Sequence, residues 1–182
     1  MQGVPGAIVN DPDTAAAFGG DIGLISVGSG FDFIGREPFS IEAWIKPSLI
    51  DDMFRHVFTK QHRGTPKEGY ALLVQVANGV VFERYVDDAE VSIKFPTLLP
   101  ATAFTHIVGT YDGVFMRLYI NGQQVNQTIE ERPQSVVGEA TVIGAASVTE
   151  QFFAGAIDEV AVYAAPLSAA HIHAHYLAGT AP

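Results

Sequence analysis

Between Phe39 and Lys46 the chain alternates with a period of two. Phe39, Ile41, Ala43 and Ile45 fall on one face, and Ser40, Glu42, Trp44 and Lys46 on the other. Such alternation predicts a strand with one face turned to a core, and Pro47 ends it because proline cannot donate to a sheet ladder. Farther along, Tyr70–Val76 and Val80–Val86 flank the pair Asn78-Gly79. Asn-Gly between β-prone runs predicts a hairpin, since a type I′ turn needs φ > 0 at both central residues. The arrangement recurs at Asp112-Gly113, between His106–Tyr111 and Val114–Ile120, and at Asn121-Gly122, which leads into Gln123–Thr128. Three turn pairs within 45 residues predict an antiparallel meander.

Shorter runs predict strands at Ala7–Val9, Gly23–Val27, His56–Lys60, Ala140–Ile143 and Gly155–Tyr163, with residues 51–69 otherwise loop. Ser168 is a natural N-cap for a short helix reaching Leu177. With no strand–helix–strand rhythm, the prediction is all-β: a sandwich of two antiparallel sheets with one short C-terminal helix. Residues 1–17 read as a loose arm with a first strand, 18–178 as the domain and 179–182 as a tail.

Composition narrows the function classes. The 182 residues are 48% hydrophobic and 16% charged, a globular balance. Ten basic against 20 acidic residues give a net charge of −10. That argues against nucleic acid, which calls for a clustered positive surface, and against anionic lipid; it is compatible with a cation. Cysteine is absent, which excludes disulfides, thiolate zinc sites and a cysteine nucleophile. No apolar run is long enough for a membrane span. The start Met1-Gln2-Gly3-Val4-Pro5-Gly6 has neither the basic nor the apolar region of a signal peptide. Export would then depend on a longer parent chain or another route.

Four segments in fixed order carry a family resemblance. They are Phe39 to Pro47 (FSIEAWIKP), His106 to Gly113 (HIVGTYDG), Met116 to Gly122 (MRLYING) and Phe153 to Tyr163 (FAGAIDEVAVY), followed by Pro166-Leu167-Ser168. Over about residues 18–178 the chain resembles the laminin-G-like, concanavalin A-like lectin/glucanase superfamily in its bacterial and phage branch. The resemblance implies a jelly-roll β-sandwich. It also implies a calcium ion near the sandwich edge, held by an aspartate and N-terminal loop oxygens. Asp158, among apolar neighbours, needs a partner or an ion if it faces inward. The Gly19-Gly20-Asp21 turn can bring carbonyls together without steric cost, so Asp158, Asp21 and Gly19 are the candidate ligands of a structural calcium. The alternative is that Asp158 accepts hydrogen bonds from loop amides and fixes a turn. Where relatives often carry two aspartates, this chain has Asp21 alone.

Hydrolases of the superfamily that resemble laminarinases place Glu-x-Asp-x-x-Glu on one strand, bringing the acids to one face. No such run occurs; Asp87-Asp88-Ala89-Glu90, Glu130-Glu131 and Asp158-Glu159 are the acidic clusters. Adjacent strand residues face opposite sides, which keeps Asp158 and Glu159 apart. No catalytic residue is assigned. His171 and His175 share a helix face, but two histidines alone read as solvent-facing surface. Trp44 reads as core, and Tyr70, Tyr85, Phe104 and Phe115 with loop 51–69 as candidate contact residues. The expectation is a non-catalytic recognition module for a glycan or cell-surface ligand, within a larger extracellular or virion protein. Nucleic acid and membrane are not expected partners, and oligomerisation is open. A structural or assembly domain, such as a phage tail or decoration component, is the second reading, and a hydrolase the third.

Overall fold

The computed structural model describes residues 3–49 and 51–181. The chain forms β1 (Gly3–Pro5), β2 (Thr14–Gly19), β3 (Ile25–Ser26), β4 (Phe39–Pro47), β5 (Arg55–His62), β6 (Glu68–Gln75) and β7 (Gly79–Val86). There follow β8 (Ala89–Phe95), β9 (Thr105–Tyr111), β10 (Phe115–Ile120), β11 (Gln123–Ile129), β12 (Val142–Ile143), β13 (Ala154–Tyr163) and the helix α1 (Ala169–Thr180). One sheet has the order β1-β2-β13-β4-β9-β10-β11, the other β3-β12-β5-β6-β7-β8. Every pairing is antiparallel. The predicted sandwich with one C-terminal helix is the observed fold.

All three predicted turns join neighbouring antiparallel strands: β6 to β7, β9 to β10 and β10 to β11. A fourth two-residue turn, Asp87-Asp88, joins β7 to β8 with both aspartates at positive φ, 51° and 63°. The strand expected at Ala7–Val9 is absent; residues on either side of it form β1 and β2 instead. The arm is therefore sheet-bound and not loose, because β2 pairs with both β1 and β13. Its first two residues, Met1 and Gln2, and Pro182 of the tail lie outside the described residues. The helix runs past the expected end at Leu177, and Val9 N–H donates to Gly179 carbonyl at 3.1 Å, tying it to the arm.

Period two decides what lies between the sheets. Phe39, Ile41, Ala43 and Ile45 of β4 meet Tyr70, Leu72 and Val74 of β6 and Val80 and Phe82 of β7 in one buried cluster. Phe39 sits at the centre, its ring 4.9 Å from Phe33 and 4.3 Å from Tyr70. Gly109 of β9 lets the sheets approach here, since a Cβ would stand 2.9 Å from the Phe82 ring. Two buried cations tie the outlying loops to the sandwich. Lys60 Nζ donates to the carbonyls of Ser29 and Glu139 and pairs with Asp32 at 3.2 Å. Arg84 donates to the carbonyls of Arg132 and Gly35 and lies over the Tyr111 ring.

The opposite phase of β4 carries Ser40, Glu42 and Trp44 to the outer face of the seven-stranded sheet, where α1 covers them. Trp44 is buried, but outside the space between the sheets: it packs against His106 and Tyr176 at 4.9 and 5.9 Å.

Candidate functional site

The outer face of the six-stranded sheet holds a groove of about 190 Å³. Register across β5 to β8 sets its floor in three rows. His56 lies opposite Leu73, Leu73 opposite Val81 and Val81 opposite Lys94. Thr59, Ala71, Glu83 and Ser92 form the second row, and Gln61, Gly69, Tyr85 and Glu90 the third. Ala71, Leu73 and Val81 make a small apolar cluster separate from the main core. Polar side chains ring it. Because Gly69 and Ala71 are small, Tyr85 and Glu83 rise over the sheet without a bulky neighbour on β6.

Loops build the walls. Phe54 precedes β5, Arg63 and Lys67 come from the β5–β6 connection, and Gln151 precedes β13. Gln151 has φ 57°, and its carbonyl accepts from His56 N–H at 3.2 Å. Such a conformation is uncommon for a non-glycine residue and clusters at ligand sites.

The electrostatics of the groove are those of a partly dry site. Burial drives the His56 imidazole down to about 3, with Arg63 and Lys67 adding to the effect, so it is neutral at physiological pH. Burial pushes the Glu83 carboxyl up, opposed by the hydrogen bond from the Gln61 amide at 2.7 Å. For Glu90, partial burial is outweighed by hydrogen bonds from Tyr85 and Ser92, which hold it below the usual range. Tyr85 hydroxyl donates to Glu90 at 2.7 Å while Lys67 Nζ sits 3.4 Å above its ring. Of the expected contacts, Tyr85 and loop 51–69, through Phe54, Arg63 and Lys67, line this groove, whereas Tyr70 is core. Phe104 and Phe115 are partly buried and face Lys46 and Arg117.

The candidate calcium ligands do not assemble as expected. Gly19 pairs with Ala154, four residues from Asp158 along β13, roughly 13 Å at a strand's rise. Asp21 is exposed and its carboxylate caps Ile22 N–H at 2.8 Å. The Gly20 carbonyl is taken by the Arg55 guanidinium at 2.8 Å, which also binds Asp51 at 2.6 Å and Phe152 carbonyl at 2.9 Å. The Gly20 carbonyl is thus already engaged by a cation of the chain. Asp158 gathers different partners. A bulge between Asp158 and Ala161, with Glu159 at φ 49°, breaks the alternation, so neighbouring carboxylates converge with Asp13. One oxygen from each of these three lies within 4.8 Å of the others. The expectation that strand phase separates Asp158 from Glu159 is corrected by this bulge.

Asp158 also accepts from Ala7 N–H at 2.7 Å, the amide contact expected as the alternative. Above it Gly6 leaves a cradle: a Cβ there would meet Asp13 carbonyl, Asp13 Oδ1 and Asp158 Oδ2 at 3.0, 3.1 and 3.1 Å. Burial and the neighbouring carboxylates raise both Asp13 and Glu159. Close carboxylates need a proton or a cation between them, and oxygen donors of this type are those calcium takes. The residues present fit a hard cation at Asp13, Asp158 and Glu159.

Next to this cluster, a cleft under α1 is lined by Ile8, Glu42, Trp44, Glu159, Tyr163 and His175. His171 and His175 are both exposed, but His175 reaches Glu42 at 3.0 Å. The i, i+4 pair is thus divided between a structural contact and solvent.

Two antiparallel sheets packed face to face, with a polar groove on the outer face of one, define a jelly-roll β-sandwich domain. The chain belongs to the concanavalin A-like lectin/glucanases superfamily, through a laminin-G family matched over residues 19–173. No curated protein matches it. Among solved structures it is similar to the binding domain of Paraclostridial Mosquitocidal Protein 1, with TM-score 0.76, 15% identity, and 96% of this chain and 45% of that one covered. The chain thus spans under half of that structure's length. It is also similar to domain 4 of AbnA, an extracellular arabinanase of Geobacillus stearothermophilus, in complex with arabinotriose: TM-score 0.73, 16% identity, 91% and 77% covered. A third likeness is to the CBM40 of a Ruminococcus gnavus IT-sialidase bound to alpha2,3 sialyllactose, with TM-score 0.66, 16% identity, and 86% and 100% covered. At these identities the likeness is one of fold.

Proposed function

We propose that this chain is a non-catalytic carbohydrate-recognition module of an extracellular protein, and that glycan binds on the outer face of the six-stranded sheet. The observation that carries the reading is the groove over Leu73 and Val81. It combines an apolar floor, an aromatic ring at Tyr85 and hydrogen-bonding groups at Glu83, Glu90, Asn78 and Gln151. Sugars present hydroxyls around apolar C–H faces, so a site that fixes orientation with few polar groups over an apolar base suits them. That two similar folds were solved with arabinotriose and sialyllactose supports the same class of ligand here.

The module reading also accounts for the carboxylates. Glu83 and Glu90 have pKa values pushed apart, which in a hydrolase would mark an acid and a base. Here each is engaged by the chain itself, Glu83 by Gln61 and Glu90 by Tyr85. A glycan array, with purified protein and its Tyr85→Ala and Glu83→Gln variants, tests the function. Binding to at least one glycan class, lost in both variants, is expected, with no release of reducing ends. A blank array, or binding unchanged by both variants, overturns the site.

A cation at Asp13, Asp158 and Glu159 belongs to the same proposal in a structural role. Calcium, when bound, would neutralise three carboxylates and fasten the N-terminal segment to β13. Asp158 would hold the ion from the strand, Asp13 from the arm.

A further inference from the structure

The distribution of positive charge in this acidic chain is uneven in a way that its stability does not explain. Seven of the ten arginines and lysines have a carboxylate within salt-bridge distance: Arg36, Arg55, Lys60, Arg63, Arg84, Arg117 and Arg132. Among the described residues the three without one are Lys46, Lys67 and Lys94. Lys46 rests over Phe104 on the other sheet. The other two both line the groove on the outer face of the six-stranded sheet. With 20 acidic side chains available, leaving two ammonium groups unpaired in one depression is a placement a ligand would use.

From this we infer that the groove selects saccharides that carry carboxylate groups, the anion being held by Lys67 and Lys94. The inference rests on the carbohydrate-binding reading and adds the charge of the sugar to it. Lys67 reaches in from the β5–β6 connection, its ammonium held over the Tyr85 ring at 3.4 Å. Lys94 stands on β8 four residues from Glu90, the residue opposite Tyr85. At strand rise the two cationic ends of the groove are therefore roughly 13 Å apart along the sheet, and the ligand lies along β8 between them. Arg63 adds charge at the Lys67 end although Glu150 already holds it at 3.1 Å. Burial lowers Lys67, and Arg63 adds to this against Glu83 and Glu90, so an anion beside it would favour its charged form. Glu83 and Glu90 are committed to Gln61 and Tyr85, and their remaining oxygens accept sugar hydroxyls. Sialylated and uronic-acid saccharides share this chemistry and differ in how many carboxylates they present.

Calorimetric titration of the intact chain tests this with two matched pairs: sialyllactose against lactose, and tri-galacturonate against its methyl ester. The acidic member of at least one pair is expected to bind about tenfold more tightly. Its advantage should shrink between about 20 and about 200 mM salt, as screening predicts. In the double variant Lys67→Gln, Lys94→Gln, with melting as the folding control, the acidic and neutral members should become equal. Advantage only with sialyllactose identifies a single carboxylate as the determinant; advantage only with tri-galacturonate identifies spaced ones. Equal binding of acidic and neutral sugars in the parent overturns the charge selection and leaves the carbohydrate reading standing. An acidic preference that survives in the double variant overturns the role of the two lysines. If none of the four sugars binds, the charge inference falls; a blank glycan array in addition takes the carbohydrate reading with it.

Discussion

Glu42 Oε1 and His106 Nε2 lie 2.6 Å apart across β4 and β9, beneath α1. The same carboxylate accepts from the Tyr163 hydroxyl of β13 at 2.9 Å and meets His175 Nδ1 of α1 at 3.0 Å. One buried side chain thus joins three strands to the helix. Burial alone would raise the Glu42 carboxyl, but its hydrogen bonds and the charge of His106 hold it below the usual range. Removing it takes a partner from Tyr163, His175 and the fully buried His106. Glu42→Ala is expected to cost about 2–4 kcal/mol, in line with leaving buried partners unsatisfied. Because Trp44 is the only tryptophan and stacks on Tyr176 of the helix, its fluorescence should report loosening of α1 before global unfolding in urea. An unchanged midpoint in the variant would remove Glu42 from the helix anchor.

Glu42 also sets a pH dependence of known sign. Its folded pKa lies below the unfolded one, so its contribution is complete above about pH 4.5 and fades as pH falls through the lowered folded value. The parent should therefore lose stability on acidification faster than Glu42→Ala below pH 4.5, measured as urea midpoints at stepped pH. Parallel curves would contradict the assignment.

The meander was readable because Asn-Gly and Asp-Gly pairs state their own backbone requirement. Asp87-Asp88 makes the same kind of turn, yet its residues look like an acidic cluster. The usable signal was position: a polar pair between Val80–Val86 and the β-prone Val91–Phe95, made of a residue type that tolerates positive φ. The groove was less legible. Its rows bring together His56, Val81 and Lys94 through strand register, which no local pattern encodes. Only Tyr85, an aromatic beside a turn, and the polar loop 51–69, which supplies Phe54, Arg63 and Lys67, stood out. The grouping of Asp158 with Asp13, and not with the Gly19–Asp21 turn, was not legible, because Arg55 takes the Gly20 carbonyl and the bulge at Glu159 reverses the strand phase. Both depend on contacts between segments far apart in sequence.

His56 makes a second, separable acid limb. Its imidazole titrates near 6.5 when unfolded and at about 3 when folded, so the unfolded chain binds the extra proton between these values. Stability is then fully present above about pH 6.5 and is lost as pH falls from there, at up to about 1.4 kcal/mol per pH unit. Between pH 6.5 and 5, His56→Gln should flatten the slope of stability against pH. An identical slope in parent and variant would show that His56 is not buried neutral.

Gly109 tests how closely the sheets pack. A methyl group there would stand 2.9 Å from the Phe82 ring, inside normal contact. Phe82 is fully buried and cannot swing out to solvent. Gly109→Ala is therefore expected to destabilise by about 1–3 kcal/mol, the usual cost of overpacking. Pairing it with Phe82→Leu should recover part of that loss in a double-mutant cycle. Strict additivity of the two changes would mean that the ring and the glycine do not define the sheet separation.

The acidic cluster at the sandwich edge gives the sharpest metal prediction. Asp13, Asp158 and Glu159 crowd their oxygens within 4.8 Å, and burial together with that proximity raises both Asp13 and Glu159. A calcium ion bound only to the native state stabilises it by RT ln(1 + [L]/Kd), about 2.7 kcal/mol at a hundredfold excess over Kd. For a chain of this size that is a rise in melting temperature of roughly 5–10 °C, which chelator should reverse. Asp158→Asn should abolish the response. Asp21→Asn should leave it intact, since Asp21 only caps its neighbour's amide. Gly6→Ala offers a finer probe, because it alters no carboxylate and adds a methyl group 3.0–3.1 Å from oxygens of Asp13 and Asp158. It should weaken the calcium response by more than any loss of stability it causes in chelator. Melting curves that coincide in calcium and chelator would show that the cluster holds a proton and not an ion, and a response lost in Asp21→Asn would return the site to the glycine-rich turn.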